Sequence, residues 1–107
     1  MLFTGCAAHP APIDQLAAAQ AMVRAAEEAG ADRIDPQAQL YLKLAREGLD
    51  KGKTQMEASD NDRADRSLRK SEADAELARE LARRQNARTE AEEAKKILAK
   101  LKPVVAP

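Results

Sequence analysis

The chain has 107 residues, and its 18 basic and 18 acidic side chains cancel, so no overall field draws it to nucleic acid or to an acidic membrane surface. Aromatics are 2% of the residues and tryptophan is absent; about half of the apolar residues are alanine, which leaves little material for a deep core, an aromatic-lined ligand pocket or a platform for stacking bases. One cysteine and one histidine fall short of an internal disulfide and of a four-ligand zinc site, no stretch approaches the roughly 20 apolar residues of a membrane-spanning helix, and the length allows one domain at most.

Residues 1–13 read as a tether, because "AAHPAP" combines small residues with two prolines that disfavour helix. Within it, Phe3-Thr4-Gly5-Cys6 follows the order of a bacterial lipoprotein signal: an apolar residue, two small residues, then the cysteine whose thiol receives diacylglycerol. Small side chains there let a peptidase grip the backbone. Phe3 stands where leucine is usual. The basic and apolar segments of a complete export signal are not in these residues, which makes Met1 either an internal start or a point of trimming and residues 1–13 a lipobox remnant followed by a tether. Cys6 is the candidate lipidation site; the alternative is that it is incidental.

A first helix is expected over 14–29, with Asp14 as the cap and Leu16, Ala19, Val23 and Ala26 forming one apolar stripe. Gly30 suits the left-handed position after its end. Asp35-Pro36 is a cap followed by proline at the first helical position, opening a second helix over 36–58. Ala38, Tyr41, Leu42, Ala45 and Leu49 share its apolar face, which Leu40 and Leu44 widen. Gly48 and Gly52 each weaken it by about 1 kcal/mol relative to alanine; the apolar spacing resumes at Met56, which carries the helix to 58, and a stop at Lys51 is the alternative. "SDND" is a turn and cap. A third helix then runs from 61 to 101 without proline or glycine, with Ala64, Ala75, Ala78 and Ala82 allowing close approach. Asp62–Arg66, Asp65–Arg69, Glu80–Arg84 and Glu92–Lys96 are acid-before-base pairs at i,i+4, each contributing a few tenths of a kcal/mol. Pro103 is expected to end this helix and leave 102–107 as a tail.

Short turns favour antiparallel neighbours. The expected fold is all-α: a three-helix antiparallel bundle or helical hairpin, coiled-coil-like, with an overlong third helix. Residues 14–101 form the helical domain. The second helix covers only the first half of the third, so the segment from about Arg84 onward lacks a partner. Its Ala91, Ala94, Leu98 and Leu101 recur at 3–4 spacing, and with Arg84 and Arg88 they make the candidate partner surface, for self-association or for another envelope protein; the alternative is a solvated, charged spoke with a frayed end.

Other candidate chemistry fails on geometry. His9 has no ligand or base partner at useful spacing. "SDNDRADRSLRK" lacks the glycine and glutamate of a calcium loop. Glu72, Asp74, Glu76 and Glu80 lack the cleft that would separate their pKa values. No catalytic residue, cofactor, metal or small-molecule substrate is therefore expected.

The turn "SDND" and the helix "RADRSLRKSEADAELARELA", together with the lipobox, the alanine-rich first helix and the apolar second helix, resemble a family of small bacterial envelope lipoproteins, domain of unknown function 4398, over roughly residues 2–100. The resemblance implies a lipid-anchored, periplasm-facing helical module that spaces or recruits envelope proteins. Cys6 is the only functional position it carries over. Some members are joined to an OmpA-like, peptidoglycan-binding domain; these 107 residues contain no such segment, so peptidoglycan binding is not carried over. Ala7 after the cysteine resembles the pattern sorted to the outer membrane. The rival expectation is a cytoplasmic, coiled-coil-like adaptor.

Overall fold

The structure is a computed structural model that describes residues 9–105. Three helices, α1 (Ile13–Glu28), α2 (Pro36–Glu57) and α3 (Asn61–Val105), account for nearly all of it, arranged as a rod of 94 × 20 × 14 Å. The starts and stops have local causes. Asp35, extended at φ −144°, accepts a hydrogen bond from the Ala38 backbone N–H at 3.0 Å, and Pro36 follows it. Gly30 takes φ +88° just beyond α1, a conformation a Cβ would strain. Ser59 turns the chain between α2 and α3 at φ 61°. Asp14 does not cap α1: the helix begins one residue earlier, behind Pro12, without a side-chain cap, and Asp14 lies in its first turn. There the carboxylate still complements the positive end of the helix dipole.

Helices α2 and α3 pair antiparallel, and the buried positions explain how. On α2 these are Ala38, Leu42, Ala45, Leu49 and Gly52; on α3 they are Ala64, Leu68, Ser71, Ala75, Ala78 and Ala82. Both series alternate steps of four and three, the 3.5-residue repeat of a left-handed coiled coil. On α2 small and large residues alternate as well. A Cβ built on Gly52 would lie 2.5 Å from Leu68 Cδ2, and one on Gly48 would lie 3.2 Å from Ser71 Cβ. The two glycines that weaken α2 as an isolated helix are thus the points where it meets α3. Ser71 is fully buried, and its hydroxyl donates to the Ala45 carbonyl at 2.6 Å. This bond satisfies a polar group that would otherwise be costly to bury. Leu40 departs from expectation: it is 52% exposed and lies outside the seam.

Helix α1 lies chiefly on α3 and runs parallel to it. Gln15 donates to Glu72 and Asn86 donates to the Ala29 carbonyl at 3.2 Å, each pair separated by 57 residues; one constant offset at both ends of α1 is the signature of a parallel register. Arg46 on α2 bonds Glu27 on α1 at 3.1 Å. Leu42 and Leu68 are the largest side chains that are fully buried, followed by Ser71. The core is therefore a narrow seam, and dispersion between closely spaced backbones supplies much of its cohesion.

The third helix outruns this bundle. Every residue from Ala87 to Lys102 is exposed, and at 1.5 Å per residue the 45 residues of α3 extend about 67 Å. Pro103 does not stop the helix, which continues to Val105. Proline's φ is already helical, and the bond forfeited is that of the Ala99 carbonyl on an exposed shaft, where water can replace it. Of the expected ion pairs, Asp62–Arg66 (3.2 Å) and Asp65–Arg69 (2.9 Å) form. Glu80 pairs with Arg83 and Arg79 rather than Arg84, and Glu92–Lys96 is not among the ion pairs of the described residues. Such exposed pairs contribute little, so water competes for them.

Gly52→Ala is expected to gain about 1 kcal/mol of helix propensity but lose about 1–3 kcal/mol to overpacking against Leu68, for a net loss in thermal or urea unfolding. Placing Gly52→Ala on a Leu68→Ala background removes the clash, so the double-mutant cycle should be non-additive in the favourable direction. Deleting residues 90–107 removes no core residue; the unfolding midpoint should stay within experimental scatter while total helicity by circular dichroism falls.

Candidate functional site

Two regions hold the residues the sequence singles out. The first is the turn end of the rod. Asn61 donates to the His9 carbonyl at 2.8 Å, so the segment leading into α1 meets the rod beside the start of α3. His9, Ser59, Asp60, Asn61 and Asp62 line a hollow there of about 430 Å³. His9 is exposed, and it is its backbone rather than its ring that bonds to Asn61. Cys6 lies outside the described residues. Among the described residues, no group of three or more His, Cys, Asp or Glu could hold a metal ion, and no helix is long and apolar enough to cross a membrane.

Three of the four acidic residues singled out on α3 have a partner, and Glu76 has none among the described residues. Glu72 accepts from Gln15, Asp74 pairs with Lys70 at 2.7 Å, and Glu80 pairs with two arginines. Arg69 is held above its ordinary pKa by the hydrogen bond from its guanidinium to Asp65 and by that carboxylate's charge. A guanidinium is charged at any working pH in either case, so this creates no switch.

The second region is the projecting half of α3. Arg84 and Arg88 lie at its base, lining a hollow of about 110 Å³ with Leu81, Gln85 and, from the start of α2, Asp35 and Gln37. Ala91, Ala94, Leu98 and Leu101 lie farther out on bare shaft, Leu98 59% and Leu101 50% exposed. The six partner-surface residues are therefore split between the bundle's rim and the free shaft.

Helical geometry also sets which way the shaft faces. At 100° per residue, and taking the buried Ala82 as zero, Ala91, Ala94, Leu98 and Leu101 fall at roughly 180°, 120°, 160° and 100°. The apolar seam of the shaft is thus turned away from the face that α3 gives to the core. It is not a continuation of the bundle's heptad, which would place Gln85, Thr89, Glu92 and Lys96 next in line.

Sequence reasoning missed Ile97, 58% exposed and, by the same geometry, on the flank of this seam at roughly 60°. It also missed Lys95, Lys96, Lys100 and Lys102 as a group. The signal was available: no acidic residue follows Glu93.

No curated protein and no solved structure matches the chain. The model of one protein family, Domain of unknown function (DUF4398), matches residues 14–94, a span that begins in α1, includes both turns and ends on the projecting shaft. With its three helices, its small-residue seam and that match over most of its length, the chain belongs to the DUF4398 family.

Proposed function

We propose that the protein is a lipid-anchored, non-enzymatic helical module of the bacterial envelope, facing the periplasm from the outer membrane and acting as a spacer that carries a contact surface at its far end. The observation that carries this reading is the separation of the rod's two ends. His9 sits beside Asn61 at the start of α3, while Lys102 lies about 60 Å further along the same helix. An acyl chain on Cys6, three residues before His9, would hold the turn end at a membrane and leave the shaft free to meet whatever lies opposite. The order Phe3-Thr4-Gly5-Cys6 supports the anchor, and a proline-rich tether after it supports an upright rod. A diacylglyceryl thioether with an added N-acyl chain exceeds the single-chain limit on stable anchoring. The narrow core supports a role based on placement and surface contact, since catalysis needs a nucleophile, base and stabiliser held around one point.

Mass spectrometry of the protein purified from its own cells tests this. The expected N-terminal peptide begins at Cys6 and carries the diacylglyceryl and acyl groups, and Cys6→Ser should move the protein from the membrane to the soluble fraction. An unmodified peptide that contains Leu2 with a free Cys6 thiol would overturn the anchor and leave the cytoplasmic adaptor as the better reading.

A further inference from the structure

The end of the shaft carries a feature that the neutral net charge conceals. Residues 94–102 read "AKKILAKLK": four lysines and no acidic residue, a local charge of +4 in a chain that sums to zero. Around the helix the two kinds of side chain separate. Ala94, Ile97, Leu98 and Leu101 fall within a sector of roughly 60° to 160°, whereas Lys95, Lys96, Lys100 and Lys102 fall at roughly 220°, 320°, 0° and 200°. Ile97, Leu98 and Leu101 are each at least half exposed and make up three of the six large apolar side chains exposed anywhere in the described residues. An apolar stripe about 100° wide is what a helix buries on one face, and here the bundle covers none of it.

We propose that this tip is a docking site for an anionic lipid surface. Flanking lysines can reach lipid phosphates while their alkyl stems lie along the apolar stripe, and Ile97, Leu98 and Leu101 enter the headgroup boundary. The hollow at the start of α2 reaches Arg88, so the shaft runs about 9 Å free before Ala94, which lets the tip tilt onto a flat surface without the bundle touching it. Charge and the shortness of the stripe argue for this occupant over a second copy. Parallel pairing of two tips would set the four lysines against the same four. Antiparallel pairing would join only the two turns that carry Ala94, Ile97, Leu98 and Leu101 of each chain, whereas a stable interface takes about 20–30 residues a side. The inference goes beyond the anchoring reading and does not rest on it, because the acyl chain of that reading belongs to the opposite end of the rod.

The test uses the full, unacylated 107-residue chain in co-sedimentation with vesicles of phosphatidylcholine alone or of equal parts phosphatidylcholine and phosphatidylglycerol. Partitioning should be at least tenfold stronger on the mixed vesicles and should weaken as salt is raised. Lys95→Gln with Lys100→Gln, and separately Lys100→Gln with Lys102→Gln, should each weaken it by about thirtyfold, since each lysine near an anionic surface contributes about a fivefold factor, whereas Lys96→Gln, on the side of the helix nearly opposite the stripe, should weaken it least. Leu98→Ser should weaken binding without changing its salt dependence. All these positions are exposed, so circular dichroism should show the helices intact in every variant. Equal binding to both vesicle types, or indifference to the lysine pairs, overturns the proposal. So does capture of heparin with the same affinity together with vesicle binding that Leu98→Ser leaves unchanged, or a dimer in light scattering that residues 94–102 hold together. A failure of the anchor at Cys6 would leave these outcomes unchanged.

Discussion

The approach of α2 to α3 at Gly48 and Gly52 is the constraint on which the rest of the architecture depends. With Leu68 filling the space that a Cβ on Gly52 would need, and Ser71 against Gly48 and Ala45, the two backbones come too close for large side chains in the seam. Small residues are consequently required along most of it, which explains why Leu42 and Leu68 alone among the fully buried positions are large. Close packing replaces buried area as the source of cohesion.

That choice has a geometrical consequence. A seam of alanine, glycine and serine holds two helices together but leaves no interior between them, so the molecule is long and only 20 × 14 Å in section. Helix α1 adds a third element by lying along α3 at constant offset, tied at its ends by Gln15 to Glu72 and by Asn86 to the Ala29 carbonyl. It reaches no further than Ala29, and past the hollow that Arg88 shares with the start of α2 the described part of α3 is exposed on every side. The hollows that form are shallow ones on the surface, among them those at the turn end, where α2 begins, and between α1 and α2 beside Val23 and Leu49. In a body of this shape, reach and end-surface chemistry are what distinguish one rod from another.

The free half of α3 remains helical for a different reason from the half in the bundle. Between Asn61 and Lys102 there is no glycine or proline, and the residues are strong helix formers. The bundle fixes the first half and spares the second the cost of nucleation. The rotation of the apolar stripe by roughly 110°, nearly a third of a turn, between Ala82 and residues 94–101 then gives the shaft a face independent of the core. Such a change of face inside one uninterrupted helix suits a segment whose surroundings change from protein to something else.

Local physics made much of this legible in the residues alone. Asp35-Pro36, Gly30 and "SDND" are stop and start signals whose action depends on neighbours a few residues away, and the 3–4 spacing of Ala19, Val23, Ala26, Ala38, Leu42, Ala45 and Leu49 marks the faces that end up buried. The long third helix and its unpartnered half were readable from length arithmetic. Asp14 was misplaced as a cap because cap choice hinges on one backbone angle, and Pro103 was misread as a stop because its penalty is small where the carbonyl it frees is already in water. Only the tertiary structure decided what Gly48, Gly52, Leu68 and Ser71 are for. A glycine's cost to its own helix is a local property, whereas its value as a contact point exists only once a second backbone lies a few ångströms away. The parallel register of α1 on α3 and the direction in which the shaft's apolar face points were settled there too, because both are relations between elements, and a one-dimensional pattern determines periodicity along a helix but not which neighbour occupies each side of it.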